Sequence, residues 1–302
     1  MNIKLGVDLG GTKTEIIALD DAGKTLLRRR VPTPSGDYHA TLSMIKELVT
    51  QADTELGQRY PIGFGTPGSP SPLDGKMRNC NSTCLNGQRL QDDLREMLQR
   101  PVAIANDANC LALSEATDGA GAGAHTVFAV ILGTGVGAGI VINGDVLHGA
   151  NGIAGEWGHN PLPSLRDAER PGVLCYCGRS GCIETFLSGP GLKRDHFNIN
   201  GEHLEPQDIV AGAAAHYSAC EATLQRYEER LARALALVIN ILDPDVIVLG
   251  GGLSNLTRLY ENVPPLWFQY VFSDSVGTRL LPNHHGDSSG VRGAAWLARS
   301  GD

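Results

Sequence analysis

The spacing of apolar positions divides the first 118 residues into strands and helices. Three strand-like segments come first: 3–9, 14–20 and 25–31. They are joined by a Gly-Gly-Thr turn and an Asp-Ala-Gly-Lys turn, which predicts an antiparallel meander. From Tyr38 to Leu56 the apolar residues recur at helical spacing, with Ser35 or Asp37 as the predicted N-cap. The remaining predicted elements alternate strand and helix: 62–68, 91–100, 102–107 and 110–117.

The opening meander recurs later in the chain. TVFAVILGTGVGAGIVINGDVLHG has the same order of strands and turns as IKLGVDLGGTKTEIIALDDAGKTLL, with Leu132-Gly133 aligned to Leu9-Gly10. A duplicated unit of this kind predicts an α/β fold of two similar domains that face each other across a cleft. The small-residue run GAGAGA places the boundary after residue 118, with the second domain at 119–302.

Composition narrows the class of protein. With 302 residues, 42% hydrophobic and 19% charged, the chain is expected to be a soluble globular protein of two domains. No apolar run approaches the roughly 18 residues of a membrane span, and the N-terminus enters a strand pattern at once, which predicts a cytoplasmic protein without a membrane partner. A formal charge of −8 argues against nucleic acid as a partner.

Seven cysteines, four of them scattered, do not form a disulfide framework in a chain of this size. The other three lie in CYCGRSGC, as Cys175, Cys177 and Cys182. Structural zinc prefers four thiolate or imidazole ligands, and His159 is the nearest upstream histidine, so we expect these four residues to bind Zn²⁺. Three thiols without a metal remain the alternative.

Glycine-rich turns are the second chemical signal. Gly10-Gly11-Thr12 and Gly133-Thr134-Gly135 follow corresponding strands, and backbone N–H groups in such turns can bind phosphate, with Lys13 adding positive charge. Neither turn matches a Walker loop or a dinucleotide fingerprint. Gly250, Gly251 and Gly252 follow another buried strand, where an adenine ring can approach the backbone. The alternatives are tight hairpins for the first two turns and an ordinary strand-to-helix turn for the third.

Taken together, DLGGTKTE, AIANDANC, ILGTGVGAG, GEWGHN, CYCGRSGC and VIVLGGG resemble the ROK family of sugar kinases, from Asp8 to Arg292. The resemblance implies the actin and hexokinase type of fold (ribonuclease H-like), ATP and Mg²⁺ as cofactors, and a homodimer. It also implies that the C-terminal helix, near 290–300, packs on the first domain. Within the family, GIAGEWGHNPLP and HGDSSGVRGAAWL resemble manno(fructo)kinases, which implies fructose as the sugar, phosphorylated at its 6-hydroxyl, and mannose as a second substrate.

Carried over residue by residue, the resemblance makes Asp107 the general base and Asp8 a carboxylate that holds magnesium. A carboxylate at a strand end can accept a hydroxyl proton during phosphoryl transfer. The structural alternative for Asp107 is a helix cap. The sugar contacts that the resemblance implies are Asn106, Asp107, Glu156, His159 and Glu184. Zinc on one nitrogen of His159 would fix the ring so that the other nitrogen meets a sugar hydroxyl.

Two other functions stay open at this point. One is a kinase for another hexose, with glucose, N-acetylmannosamine and N-acetylglucosamine as candidates, because pocket volume is not readable from spacing. Cys84 stands in the loop NCNSTCLNG where relatives carry tryptophan, which bears on the choice of sugar. The other is a sugar-sensing regulator. The first strand begins at Ile3, which leaves no room for a preceding DNA-binding segment and favours the kinase.

Overall fold

The computed structural model describes residues 2–298. Its strands in that range are β1 Lys4–Leu9, β2 Lys13–Leu19, β3 Thr25–Pro32, β4 Ile62–Thr66, β5 Ser69–Pro70, β6 Met77–Arg78, β7 Val102–Asn106, β8 Thr126–Leu132, β9 Val136–Ile142, β10 Asp145–Val146, β11 Val246–Gly250 and β12 Arg279–Pro282. Its α-helices are α1 Tyr38–Leu56, α2 Leu90–Leu98, α3 Asp107–Asp118, α4 Ile183–Leu187, α5 Gly189–Asn200, α6 Pro206–Ala214, α7 Ser218–Leu242, α8 Arg258–Trp267 and α9 Ser289–Leu297.

Two five-stranded sheets have the same topology. The first runs β3-β2-β1-β4-β7 and the second β10-β9-β8-β11-β12. In the first sheet β1 pairs antiparallel with β2 and parallel with β4, which is itself parallel to β7. In the second sheet β8, β11 and β12 are likewise parallel. The predicted α/β fold with a duplicated meander is therefore confirmed.

The chain divides into two compact units whose borders are not those of a single cut after residue 118. The first unit holds the described residues up to Gly123, then Gly139–Ala154, and those from His284 onward. The second holds Ala124–Ala138 and Gly155–Asn283. A boundary after residue 118 thus leaves residues 139–154 out of the first unit, whereas the C-terminal helix, expected to pack on the first domain, does lie in this unit.

Alternation along the strands sets the two faces of the first sheet. In β1 the residues Leu5 and Val7 are fully buried in a cluster that includes Ile45 of α1 and Leu90 of α2. Asp37 caps α1, since its side chain accepts a hydrogen bond from the Ala40 N–H. This is one of the two caps that the sequence predicted, and the helix bounds agree with the prediction.

The other face of this sheet carries glycine where α9 crosses it. A Cβ added to Gly6 would lie 2.3 Å from the backbone nitrogen of Ala295, and one added to Gly63 would lie 2.1 Å from the Ala294 oxygen. The helix backbone therefore rests directly on β1 and β4. Of the predicted helix at 290–300, residues 299 and 300 lie outside the described residues.

The loop after β4 contains the short β5–β6 hairpin, in which Ser69 pairs with Arg78. None of the helices described between residues 2 and 298 is both long enough and apolar enough to cross a membrane.

Gly293 of α9 packs against the backbone of α3, where an added Cβ would lie 1.8 Å from the Cys110 oxygen. We predict that Gly293→Ala lowers the free energy of unfolding by about 3 kcal/mol, at the upper end of overpacking costs. Gly277→Ala, with nothing within 4 Å of the new methyl group, is the matched control. Urea denaturation of both variants tests this. Stabilisation by Gly293→Ala, as helix propensity alone would give, would contradict the close packing.

Candidate active site and metal centre

Three polar residues of the first unit lie at the edge of the first sheet where its parallel strands end. Because β1, β4 and β7 are parallel, their C-terminal ends lie at the same edge. Asp8 is paired with Gly65 in register, and Thr66 is paired with Asn106. Three stretches of sequence far apart in the chain thereby bring a carboxylate, a hydroxyl and an amide to one edge.

Asn106, and not Asp107, caps α3. The Asn106 Oδ1 accepts a hydrogen bond of 2.9 Å from the Asn109 N–H. Asp107 is the first residue of the helix, with an exposed side chain whose Oδ1 lies 2.8 Å from its neighbour's backbone nitrogen at Ala108. Since the amide performs the capping, the cap alternative for Asp107 does not account for its carboxylate.

The surroundings of Asp8 at this edge disfavour its ionised form. Burial first, and then the nearby negative charges of Asp107 and Glu15, raise the pKa of Asp8 to about 6, although Lys13 and Arg30 act in the opposite direction. Its two oxygens lie near Gly65 of β4 and Gly290 of α9, where added Cβ atoms would be 3.6 and 3.4 Å away. A buried carboxylate beside a second negative charge is the electrostatic setting that a divalent cation stabilises.

The turn between β1 and β2 is fixed by hydrogen bonds at Gly10, and its next three residues are exposed to solvent. The Gly10 N–H donates to the Lys13 oxygen at 3.1 Å, while the Thr33 hydroxyl donates to the Gly10 oxygen at 2.8 Å. Gly11, Thr12 and Lys13 are exposed. A Cβ added to Gly11 would lie 3.1 Å from the Ser82 Oγ. Ser82 therefore lies against the predicted phosphate turn, a position that its loop sequence did not indicate.

In the second unit, the corresponding turn is tied to Glu184. The Gly133 N–H donates to the Gly135 oxygen at 3.0 Å, and the Gly189 N–H donates to the Gly133 oxygen at 2.8 Å. Glu184 Oε2 accepts a hydrogen bond of 2.9 Å from the Val136 N–H. One oxygen of a residue expected to meet the sugar thus fixes the Gly133–Gly135 turn, which also carries Thr134.

The third glycine cluster lies beside this turn. Gly250 ends β11, which is parallel to β8, and Gly251 has a positive φ of 81°. A Cβ on Gly251 would lie 2.5 Å from the Leu132 oxygen, so only glycine fits there. Gly252 has open space around its Cα, which leaves its backbone accessible. The structure thus brings the two glycine turns of the second unit together.

Glu156 and His159 are presented by a short 3₁₀ turn, Trp157–His159. Trp157 is buried, donates from its indole nitrogen to the Ala234 oxygen at 3.3 Å and packs edge-on against Phe128. Trp157 therefore anchors the turn that carries His159 and is preceded by Glu156.

The predicted metal ligands converge. The ligand atoms of His159, Cys175, Cys177 and Cys182 all lie within 4.8 Å of one another. The His159 Nδ1 is 3.5 Å from the Cys175 Sγ, and the Sγ atoms of Cys177 and Cys182 are 3.6 Å apart. Tetrahedral ligands about 2.3 Å from a zinc ion stand roughly 3.8 Å apart, so this donor set fits zinc in both chemistry and spacing.

The ionisation of the thiols also fits a cation. Burial, together with the neighbouring thiols, raises the pKa of Cys182 to about 12. The pKa of Cys177 falls to about 6 because the backbone and side chain of Arg179 stabilise its thiolate. Several thiolates cannot coexist in this space without a positive charge, and a divalent ion supplies it.

The other ring nitrogen of His159 is engaged within the protein. Its Nε2 lies 2.8 Å from the Tyr176 hydroxyl, and the two rings meet edge-on at 4.9 Å. The sequence placed Tyr176 between two predicted ligands, yet spacing alone gave no direction for its side chain. The nitrogen that was expected to meet a sugar hydroxyl thus has a partner of its own.

An ion-pair network holds the segment between His159 and Cys175. Glu169 accepts hydrogen bonds of 2.8 Å from Arg230 and from Arg233 of α7, and one of 2.9 Å from the Arg166 N–H. Arg233 also donates to the Ser164 oxygen at 2.7 Å. Burial opposes ionisation of Glu169, but these hydrogen bonds outweigh it and lower its pKa to about 2.

The predicted site residues therefore form one group in each unit. The first unit holds Asp8, Gly10, Gly11, Thr12, Lys13, Asn106 and Asp107. The second holds Gly133, Thr134, Gly135, Glu156, His159, Cys175, Cys177, Cys182, Glu184, Gly250, Gly251 and Gly252. In the loop NCNSTCLNG, Asn81 and Thr83 are exposed, whereas Cys84, which stands where relatives carry tryptophan, packs partly against the core of the first unit.

Comparisons with known proteins all point to the same family. Residues 4–300 match the model of the ROK family. An N-acetyl-D-glucosamine kinase of Yersinia pseudotuberculosis is 40% identical over 296 residues, covering 97% of each chain. The ROK hexokinase of Thermus thermophilus superposes with a TM-score of 0.87 at 29% identity, over 98% of this chain and 97% of that one. A ROK glucokinase of Streptomyces griseus, solved with glucose and AMPPNP, gives 0.77 at 27% identity, over 99% and 100%.

Glu169→Gln is predicted to lower the free energy of unfolding at pH 7 by about 2 kcal/mol, because it removes one of two carboxylate partners from each of two buried arginines. Arg230 keeps Asp195 and Arg233 keeps Glu229. Since the pKa of Glu169 falls from 4.5 to about 2 on folding, its contribution is complete above pH 4.5 and disappears as the pH falls through 2. The difference between wild type and variant therefore narrows below pH 4.5 in urea denaturation.

Glu205→Gln is the control, because it removes the exposed partner of Lys193 and is expected to cost less than about 1 kcal/mol. A constant difference between wild type and Glu169→Gln at every pH would contradict the role given to the carboxylate.

Proposed function

This chain is a sugar kinase of the ROK family, and we propose that it phosphorylates N-acetyl-D-glucosamine at the 6-hydroxyl, with Mg-ATP as the phosphoryl donor. The observation that carries the choice of sugar is the 40% identity, over 97% of both chains, to a relative named for that activity. Fructose, expected from GIAGEWGHNPLP and HGDSSGVRGAAWL, is not supported by this relative, and the alternative of an amino-sugar substrate takes its place.

In this proposal Asp107 is the general base. Its exposed carboxylate accepts the proton of the 6-hydroxyl as that oxygen bonds to the γ-phosphorus and the bond to the β-phosphate oxygen breaks, releasing ADP. Capping by Asn106 supports this role, because the helix end is satisfied without the aspartate. Asn106, Glu156, His159 and Glu184 hydrogen-bond the sugar, and such polar contacts reject sugars that leave a buried group unpaired.

Phosphate and metal binding follow from the turns and from Asp8. Gly10, Gly11 and Thr12, with Lys13, and the turn Gly133-Thr134-Gly135 bind the phosphates through backbone N–H groups, and Gly250–Gly252 receive the adenine. Asp8 would hold Mg²⁺, which neutralises phosphate charge when bound. The raised pKa of Asp8 supports this assignment, since burial and then the neighbouring carboxylates raise it, and both disfavour a negative charge that a cation would balance.

Zinc, in this proposal, is structural and is bound by His159, Cys175, Cys177 and Cys182. A bound zinc ion would fix the orientation of the His159 ring. It would also link the segment that contains Glu156 to the segment that contains Glu184. Glu184 lies two residues beyond a proposed ligand, and it orients the Gly133–Gly135 turn by accepting a hydrogen bond from the Val136 N–H. A homodimer remains part of the proposal on the family resemblance alone.

The test of function is ADP release by the purified protein with Mg-ATP across N-acetylglucosamine, N-acetylmannosamine, glucose, mannose and fructose. We expect the highest kcat/KM with N-acetylglucosamine. Asp107→Asn should lower kcat by at least about 100-fold, because general base catalysis is lost, while circular dichroism and sugar binding show an intact fold.

Each other result has a defined meaning. A higher kcat/KM with another hexose would reject the proposed sugar and keep the kinase. Sugar binding by calorimetry without turnover of any sugar would favour the sensing regulator. Full activity of Asp107→Asn would reject the assigned base.

Cys177→Ser is predicted to lose zinc, measured as metal per chain, and to weaken N-acetylglucosamine binding at least about tenfold, as loss of a metal support does. Cys220→Ser is the matched control, because this buried cysteine lies outside the cluster. One zinc retained per chain in Cys177→Ser would contradict the ligand assignment.

A further inference from the structure

Tyr176 forms the link between the thiol cluster and the outer nitrogen of His159. It stands between Cys175 and Cys177, and its hydroxyl lies 2.8 Å from the His159 Nε2. The opposite nitrogen, Nδ1, faces the cluster at 3.5 Å from the Cys175 Sγ. The two rings meet edge-on, with an interplanar angle of 89° and 4.9 Å between their centroids.

The chemistry of imidazole limits what Nε2 can do. A neutral imidazole carries one proton, and a ring bound to a metal through Nδ1 carries it on Nε2. That N–H donates one full hydrogen bond. In this structure the Tyr176 oxygen lies at that position, so a sugar oxygen that binds Nε2 has to replace the phenol.

We propose that Tyr176 is a positioning residue that competes with the sugar for the His159 Nε2–H, and that the phenol moves aside when a sugar hydroxyl binds. This inference rests on the proposed function, in which His159 contacts the sugar. In this proposal Tyr176 has two effects on the His159 Nε2. The phenol fixes the orientation of the His159 ring through this hydrogen bond, and a sugar hydroxyl binds Nε2 only by displacing it.

Local structure allows this movement. Tyr176 is 79% exposed, so its ring leaves the histidine without opening the core. It lies in a tight turn closed by the Cys175 N–H to Arg179 oxygen bond of 2.8 Å and by the Gly178 N–H to Cys175 oxygen bond of 2.9 Å. The backbone of this turn holds the thiols in place while the side chain rotates about its own bonds.

Exchange of one hydrogen bond for another lowers the apparent affinity for the sugar. A single hydrogen bond of this kind corresponds to about a two- to tenfold change in an equilibrium constant. Tyr176→Phe keeps the aromatic contact and removes the competing oxygen. We therefore expect the variant to bind N-acetylglucosamine about two- to tenfold more tightly, with a KM lowered by the same factor and kcat altered by less than about twofold.

The experiment measures sugar binding by calorimetry, KM and kcat, and zinc per chain for the full-length protein. Tyr217→Phe is the matched control, because this tyrosine is also exposed, belongs to the same unit and bonds Glu202 instead of a cluster residue. The proposal expects tighter sugar binding in Tyr176→Phe only, with zinc content equal to that of wild type.

Three results would overturn it. Weaker sugar binding in Tyr176→Phe would make the phenol a direct sugar contact, and unaltered binding would remove Tyr176 from sugar recognition. Loss of zinc would make the tyrosine a support of the metal cluster. If wild type turns over a hexose other than N-acetylglucosamine, the proposed function fails separately, and the same comparison is made with that hexose.

Discussion

Parallel strand pairing is the constraint on which the candidate site depends. In a parallel pair the C-terminal ends lie at one edge, so β1, β4 and β7 bring Asp8, Thr66 and Asn106 together although these residues are 98 positions apart at most in the chain. The same pairing of β8 with β11 brings the Gly133 turn beside Gly251. Neither group could form from antiparallel neighbours, whose consecutive ends lie at opposite edges.

The thiol cluster brings together candidate site residues that lie outside the sheets. His159 and Cys182 are far apart in sequence, and the cluster joins their segments at a point where a backbone hydrogen bond of 2.8 Å also runs from Ile183 to Asn160. Glu184 follows directly and reaches Val136 at the start of β9. Ligand cluster, candidate sugar contact and glycine turn therefore form one continuous set of contacts within the second unit.

Sequence patterns predicted the regular elements well, because they depend on local spacing. The bounds of α1, the Asp37 cap, the repeated meander and the convergence of the three cysteines on His159 all agree with the structure. Side-chain direction was not predictable. Asn106 caps α3 because its backbone is extended and the helix begins at Asp107, before the predicted start at residue 110. Tyr176 lies against His159 from a turn whose geometry Gly178 permits. The boundary after residue 118 left residues 139–154 out of the first unit because they return through long-range packing, which leaves no local signal, and the return of the C-terminal helix was expected from the family resemblance alone.

The position of α9 has a consequence for how the chain folds during synthesis. The first sheet is complete once residue 106 has been made, but the face that carries Ile17 and Leu19 is covered by Val291 and Ala295, which are made after the whole of the second unit. Chains emerge from the ribosome N-terminus first. The nascent first unit therefore carries an uncovered apolar strip throughout the synthesis of the second unit, and its folding is completed only once α9 has been made.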